Sequence, residues 1–190
     1  MARRVNADGI LVRFGEIGIK SPPVRRAMLE RLRRNLLAGM ERSNVEGDVS
    51  SLGSRLWMVG PDVAGLAAVA GRTFGIVSFS ASRRVTSDMA SMERAACEEA
   101  LAVPAWKSFA VRAHREGSHP YTSQEVAIRC GAKRPDKVDL GDPDLELSID
   151  VRGAQAFVFT RSMEGPGGLP VGAQGAVVAL LETPADSAEA

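Results

Sequence analysis

Residues 112–125 of the chain have the sequence RAHREGSHPYTSQE, the most informative stretch of the 190 residues. Thr122 and Glu125 form a T-x-x-E capping box, in which the two side chains satisfy backbone N–H groups at a helix start. The stretch therefore predicts a helix from Thr122 through about Cys130. Alternating apolar residues predict a strand just before it, over residues 107–113.

The chemistry of the same stretch fits an anionic ligand. Arg112 and Arg115 are positive, Tyr121 offers an aromatic ring, and Thr122 and Ser123 stand where the N–H groups of a helix start attract anions. Single-stranded RNA is bound by this mixture of arginine, aromatic ring and amide donors. A surface loop before an ordinary capped helix, with Tyr121 packed against the helix start, explains the same residues equally well.

The sequence before this stretch predicts a small α+β unit. Apolar runs predict strands over residues 10–14, 55–59 and 76–80, and an Ala-rich segment predicts a helix over residues 61–71. A longer helix is expected over residues 21–40. The order of strand, helix, one or two strands, helix and strand matches a ferredoxin-like unit.

The long helix has two distinct faces. Ser21 is the expected N-cap, and the apolar residues that form the expected buried stripe recur every four positions: Val24, Met28, Leu32, Leu36 and Met40. Four arginines fall mostly on the other side, namely Arg26, Arg31, Arg33 and Arg34. They form either a solvated polar face or a surface that contacts phosphate groups.

A second unit follows from about residue 82. Residues 86–88 are expected to cap a helix that ends near Val103, and residues 145–151 and 156–160 are expected to form a hairpin of two strands. A Gly- and Pro-rich loop then leads to an apolar strand at residues 176–181. We expect an N-terminal domain over residues 1–80, a second domain over 81–165, and a linker with a disordered tail over 166–190.

The net charge of the chain is only +1, but the positive charge is concentrated in two segments. Residues 1–40 contain nine basic and three acidic residues, and residues 107–135 contain six and two. Of the basic residues, 20 are arginine and four are lysine. The planar guanidinium group suits phosphate, so the bias is compatible with nucleic-acid binding. A genome rich in G and C explains the arginine bias equally well.

Several classes of protein are excluded by what the sequence lacks. Cys97 and Cys130 form no CxxC pattern, and His114 and His119 have no third ligand at a recognised spacing, so no disulfide framework, zinc site or other metal is expected. No GxSxG, HExxH or Walker motif is present, and we predict no catalytic residues and no cofactor. Without a signal peptide or an apolar run near 20 residues, we expect a cytoplasmic protein that binds no membrane.

Five motifs in order give the chain a family resemblance. Residues 112–125 resemble the signature of the THUMP domain in the tRNA 4-thiouridine synthetase (tRNA sulfurtransferase) family. Four further segments are similar to that family: VRFGEIGIK at 12–20, FGIVSF at 74–79, VDL at 138–140 and GPGGLPVG at 165–172. The resemblance implies an α+β fold, with an N-terminal ferredoxin-like domain followed by a THUMP α/β domain.

The resemblance also implies a ligand. In the family, the two domains together bind the acceptor stem and the 3′ CCA end of tRNA. The family motifs carry seven candidate RNA-binding residues over to this chain: Arg13, Lys20, Arg112, Arg115, Tyr121, Thr122 and Ser123. Charge and position add three more, Arg84, Arg129 and Lys133.

The family pattern breaks near residue 182. Family members continue into a PP-loop ATPase domain through a Ser-Gly-Gly-x-Asp-Ser loop, whereas residues 182–187 have the sequence ETPADS. Glu182 adds negative charge and Pro184 removes an N–H donor, so pyrophosphate binding is not expected here. We therefore expect a protein without catalytic activity that serves as an adaptor in tRNA modification.

Two alternatives of different kinds remain open from the sequence. The chain is expected either to be the RNA-binding subunit of a split 4-thiouridine synthetase, with a separate PP-loop chain, or to be an adaptor for a tRNA cytidine acetyltransferase. The apolar segment 177–181 is the expected docking element for a separate PP-loop chain. A protein-interaction module that has lost RNA binding is a third hypothesis.

Overall fold

The computed structural model describes residues 7–132 and 137–175. The candidate Lys133 and the expected strand at 176–181 lie outside these residues. Eight strands, four α-helices and a short 3-10 helix occur in the order β1 (Gly9–Phe14), 3-10 helix (Glu16–Ile19), α1 (Pro22–Arg42), β2 (Asp48–Leu52), β3 (Arg55–Val59), α2 (Val63–Ala70), β4 (Ile76–Thr86), α3 (Met89–Ala102), β5 (Phe109–Glu116), α4 (Ser123–Gly131), β6 (Leu145–Arg152), β7 (Gln155–Phe159) and β8 (Met163–Glu164).

The first unit is ferredoxin-like, as predicted. Its strands lie in the order β2-β3-β1-β4 with antiparallel pairing throughout, and α1 and α2 pack on one face. The predicted stripe of α1 is confirmed at Leu32, Leu36 and Met40, which are buried. The prediction is wrong at Val24, which is 43% exposed, because the contact of α1 with the core begins one turn later, at Met28.

Ser21 occupies the N-cap position of α1, but its side chain makes no capping hydrogen bond. A capping oxygen accepts from the N–H groups of the second or third helical residue. Pro23 stands at the second position and has no N–H group. The start of α1 therefore rests on the fixed backbone of two prolines more than on a cap.

The second unit contains the parallel pair β5 and β6, followed by antiparallel β7, with α3 and α4 packed on one face. Asp88 caps α3, as expected, by accepting a hydrogen bond from the Ser91 N–H at 2.9 Å. The predicted hairpin of β6 and β7 is confirmed. The α+β architecture expected from the sequence is thus present in both units.

Strand β4 belongs to both units. Its first part pairs with β1, and its last four residues, Arg83–Thr86, pair with β7. The predicted domain boundary at residue 80 therefore falls inside a continuous strand. Alternate residues of β4 pack on the two helix-covered cores, Phe79 and Ala81 on the first and Val85 on the second. All four helices consequently cover the same face of one sheet.

On the face of the sheet that carries no helix, the sheet is curved so strongly that side chains of the two units are in contact. Leu11 and Trp57 from the first unit pack against Phe157 and Phe159 from the second. The ring centroids of Trp57 and Phe157 lie 4.8 Å apart. Since β1 and β4 separate β3 from β7 in the sheet, only strong curvature brings these rings together.

A buried ion cluster lies beside this aromatic contact. Asp150 of β6 is 2% exposed, and its carboxylate accepts from the Nε atoms of Arg55 at 3.0 Å and Arg152 at 2.5 Å. Arg152 also bonds Glu116 at the end of β5. The cluster ties the first unit to the second because Arg55 lies in β3.

The turn between β2 and β3 completes the junction. Gly53 has φ +61°, a backbone conformation that favours glycine, and a Cβ atom there would lie 2.6 Å from Glu116 Oε1, so the turn lies close to β5. The Ser54 hydroxyl donates to Glu116 Oε2 at 2.5 Å. The turn of the first unit is therefore hydrogen-bonded to the second.

The segment after β8 packs back on the first unit. Gly165 N–H donates to the Val77 carbonyl at 2.9 Å, and Gly167 N–H donates to the Ile76 carbonyl at 2.8 Å. Gly75 has φ +99°, and a Cβ atom there would meet the Pro170 ring at 3.0 Å. The expected linker is hence an ordered loop through residue 175.

Replacing Asp150 tests the junction. We expect Asp150→Ala to lower the free energy of unfolding by about 3–5 kcal/mol, because Arg55 and Arg152 lose the carboxylate that compensates their burial. Asp150→Asn keeps a hydrogen-bonding oxygen and should lose less. Urea unfolding followed by circular dichroism measures both changes.

Glu146→Ala is the matched control for Asp150→Ala. Its carboxylate also bonds an arginine, Arg112, but the Glu146 side chain is 53% exposed, so a loss of no more than about 1 kcal/mol is expected. Equal stability of Asp150→Ala and Glu146→Ala would contradict a structural role for the buried cluster.

Candidate nucleic-acid interface

The capping box at the start of α4 is formed as predicted. The Thr122 hydroxyl accepts from the Glu125 N–H at 3.1 Å, and the Thr122 N–H donates to Glu125 Oε2 at 2.6 Å. The Thr122 backbone N–H, together with its hydroxyl, lowers the pKa of the Glu125 carboxyl group. The ionised Glu125 carboxylate therefore stabilises the folded protein. This stabilisation is fully present above the ordinary glutamate pKa of about 4.3 and is lost as the pH falls through the lowered pKa.

Tyr121 anchors the loop between β5 and α4. Its hydroxyl donates to the Ser87 carbonyl at the start of α3, and its ring packs against the core of the second unit. One ring face is stacked on His119, with centroids 5.4 Å apart. His119 in turn bonds the Gly153 carbonyl at 2.8 Å. These contacts match the packing role that the sequence left open for Tyr121.

Three candidate arginines of the second unit have weak partners. The Arg112 guanidinium donates to the Leu140 carbonyl at 2.7 Å and to Glu146 at 3.4 Å. Arg115 donates to the Gly117 carbonyl, and Arg129 pairs with Glu93 at 2.7 Å. All three side chains are substantially exposed, and exposed ion pairs contribute little to stability. A phosphate group can therefore replace these partners at small cost.

Arg13 has a different environment. It lies partly buried in β1, donates to Ser80 Oγ at 3.0 Å and covers the Phe159 ring at 4.5 Å. Burial lowers the pKa of its guanidinium group to about 10, with Asp150 opposing the change and Arg55 adding to it. The group remains positive at neutral pH.

The other candidates are spread over the surface. Arg84 is exposed on β4, with its guanidinium 5.9 Å from the Trp57 ring centroid and its backbone N–H bonded to Asp8. Lys20 follows the 3-10 helix, and Ser123 begins α4. The structure thus groups Arg115 with residues 121–123 at one loop and places Arg13, Lys20 and Arg84 elsewhere.

The described His, Cys, Asp and Glu side chains bear on metal and thiol chemistry. Within 7–132 and 137–175, no group of three or more His, Cys, Asp or Glu side chains could hold a metal ion. Burial raises the pKa of the Cys130 thiol to about 12, with Glu93 adding to the rise, so the thiol is protonated at neutral pH. None of the helices described has the length and apolar character needed to cross a bilayer.

Two family models match the chain in the order of its two units. The ThiI ferredoxin-like domain matches residues 9–80, and the THUMP domain matches residues 87–161. The chain is a THUMP-domain protein. The resemblance stated from the sequence is confirmed, and the domain models leave out only the second half of β4 between them.

Curated relatives include tRNA sulfurtransferases. The chain is 36% identical over 189 residues to the probable tRNA sulfurtransferase of Halobacterium salinarum, covering 95% of this chain and 48% of the relative. It is 37% identical over 184 residues to the tRNA sulfurtransferase of Pyrobaculum aerophilum, covering 94% and 37%. The chain therefore spans about half the length, or less, of the curated relatives it matches.

Two solved structures resemble the pair of domains. PH1313 from Pyrococcus horikoshii Ot3 matches with a TM-score of 0.77 and 28% identity, over 86% of this chain and 57% of that one. A 4-thiouridine synthetase solved as an RNA complex with bound ATP matches with a TM-score of 0.68 and 26% identity, over 86% and 43%. The ferredoxin-like and THUMP domains are thus found together in both.

Sequence reasoning missed two sets of charged residues in this THUMP-domain protein. The buried cluster of Arg55, Asp150 and Arg152 has no sequence motif, because its members meet only through the curvature of the sheet. Arg25 was not singled out either. It lies beside Arg26 in a cleft between α1 and the β2–β3 turn.

Substitutions of Thr122 test how much the capping box contributes to stability. Thr122→Ala should lower the free energy of unfolding by about 1 kcal/mol, because the Glu125 N–H loses its acceptor, and Thr122→Ser should restore it. Urea unfolding of the three proteins measures the effect. An alanine variant as stable as the wild type would show that the cap contributes nothing to the THUMP fold.

Proposed function

We propose that this THUMP-domain protein binds tRNA at its acceptor stem and 3′ end and presents it to a tRNA-modifying enzyme as an adaptor without catalytic activity. The observation that carries the proposal is the match, over 86% of the chain, to a 4-thiouridine synthetase solved with RNA. The sulfurtransferase names of the relatives favour thiolation over acetylation as the modification served.

The THUMP domain supplies the proposed contacts near the 3′ end. Arg112, Arg115 and Arg129 exchange their protein partners for phosphate oxygens, which accept charge-assisted hydrogen bonds from the guanidinium groups. Lys133, two residues after α4 in the sequence, adds a positive charge in this proposal. Thr122 and Ser123 place the N-terminus of α4 toward the RNA, where its dipole favours an anion.

The remaining candidates are Arg13 and Lys20 in the ferredoxin-like domain, Arg84 in the part of β4 that pairs with β7, and Tyr121 in the THUMP domain. Lys20 and Arg84 are proposed to contact phosphate groups along the stem. Arg13 is proposed to act mainly by its positive field, because Ser80 and Phe159 already occupy its guanidinium group. Tyr121 is partly exposed, holds the loop in place through its bond to Ser87, and is proposed to lie near the terminal base.

A separate PP-loop protein is the proposed source of ATP chemistry if the modification is thiolation. The chain matches about half, or less, of each sulfurtransferase relative, and we propose that ATP chemistry belongs to the part of those relatives that this chain does not match. The hypothesis of a split synthetase thus places substrate binding here and activation in a partner chain.

Binding to tRNA with and without its 3′ CCA end tests the proposal. We expect the wild type to prefer the intact tRNA and the Arg112→Gln/Arg115→Gln variant to lose that preference. Loss of two phosphate contacts should also reduce the log–log salt slope of binding by about 1.4. Fluorescence anisotropy over a range of salt concentrations measures both quantities.

The control variant Arg42→Gln/Arg94→Gln removes the same charge from exposed arginines outside the proposed contacts. It should keep the preference for the CCA end and nearly the full salt slope. Absence of tRNA binding by the wild type at low salt, or equal losses in the two double variants, would reject the proposed mode.

A further inference from the structure

A cleft of about 440 Å³ opens between the two domains. One wall is the start of α1, the second is the β2–β3 turn at residues 51–54, and Glu116 of the THUMP domain closes the third side. Phe14, Leu29 and Leu56 give it an apolar floor. Both domains therefore contribute to the cleft.

The basic side chains of the cleft differ in whether they have a hydrogen-bond or ion-pair partner in the protein. Arg33 pairs with Glu30 at 3.2 Å, but Arg25 and Arg26 make no side-chain hydrogen bond or ion pair with the described residues. Both are exposed in the first two turns of α1. By contrast, Arg112, Arg115 and Arg129 all have protein partners. Within the cleft, Arg25 and Arg26 can therefore bind an anion without first giving up a protein partner.

The acidic side chains of the cleft are already compensated. Glu30 faces Arg33 and Arg34, and Glu116 accepts from Ser54 and Arg152. The pKa of Glu116 is lowered by its hydrogen bond from Ser54, despite some desolvation. Their negative charge therefore does little to oppose an anion near Arg25 and Arg26.

We infer that this cleft binds one unpaired nucleotide of the RNA, with the phosphate at Arg25 and Arg26 and the base against Phe14 and Leu29. The inference rests on the proposed function and assigns a site within it. The volume lies in the usual range for a small-ligand site, and an apolar floor with charged edges fits a flat base joined to a phosphate. A paired base cannot enter, because it faces the inside of its duplex.

The position of the cleft explains why one RNA would contact both domains. Glu116 in its wall is adjacent in sequence to Arg115, which lies at the proposed THUMP surface. Lys20 lies between Gly18 and Pro22, which both line the cleft mouth. Arg115 of the THUMP domain and Lys20 of the ferredoxin-like domain thus both lie within two residues in sequence of residues that line the cleft.

The test compares a short single-stranded RNA and a blunt-ended RNA duplex as probes. Arg25→Gln/Arg26→Gln should weaken binding of the single strand by at least about tenfold, since a hydrogen bond to a charged group contributes roughly that factor. Duplex binding should be nearly unchanged. Because both side chains are exposed and unpaired in the described structure, the variant should unfold at the same urea concentration as the wild type.

The Arg42→Gln/Arg94→Gln variant again serves as the charge-matched control and should bind both probes like the wild type. Equal losses for single strand and duplex, or no loss for the single strand, would overturn the cleft assignment while leaving tRNA binding intact. Failure of the wild type to bind tRNA as well as both probes would overturn the proposed function and the cleft together.

Discussion

The carboxylate of Asp150, held between Arg55 and Arg152, is the contact on which the arrangement of the two domains depends. It joins β3 of the ferredoxin-like domain to β6 of the THUMP domain on the face of the sheet that carries no helix. A buried carboxylate needs its cationic partners, and separation of the two domains would take Arg55 away from Asp150 and leave only Arg152 of the same strand beside it. The contact between Trp57 and Phe157 adds apolar burial at the same junction.

This junction holds the two small domains in a fixed arrangement, so that residues of both can contact one ligand. Strand β4 runs through both domains, and the β2–β3 turn reaches Glu116 at the end of β5. The mouth of the Arg25 and Arg26 cleft and the Arg115 loop are therefore held at a fixed separation. A rigid arrangement lowers the entropy lost when a long ligand contacts both sites.

Local sequence patterns predicted much of the fold. The capping box of Thr122 and Glu125, the Asp88 cap and the apolar stripe of α1 from Leu32 to Met40 depend on residues a few positions apart, and the structure confirms them. Strand β2 was harder to predict, since Val49 is its only buried residue. The course of β4 across the domain boundary was missed because Ser80 and Ser82 interrupt its apolar pattern, although both are buried.

The candidate site was predicted less completely, because the charge of a residue does not reveal the environment of its side chain in the fold. Arg13 and Arg112 look alike in sequence, yet one is partly buried over Phe159 and the other is exposed beside Glu146. Arg55 and Asp150 are 95 positions apart and meet only through the curvature of the sheet. Their pairing cannot be read from spacing in a single sequence.

Hydrogen–deuterium exchange with and without tRNA tests most directly whether the two domains act as one RNA-binding surface. Bound tRNA should slow amide exchange both at the start of α1 and in the loop between β5 and α4, while α3 stays unchanged. Slower exchange in only one of the two regions, or in neither, would contradict the account.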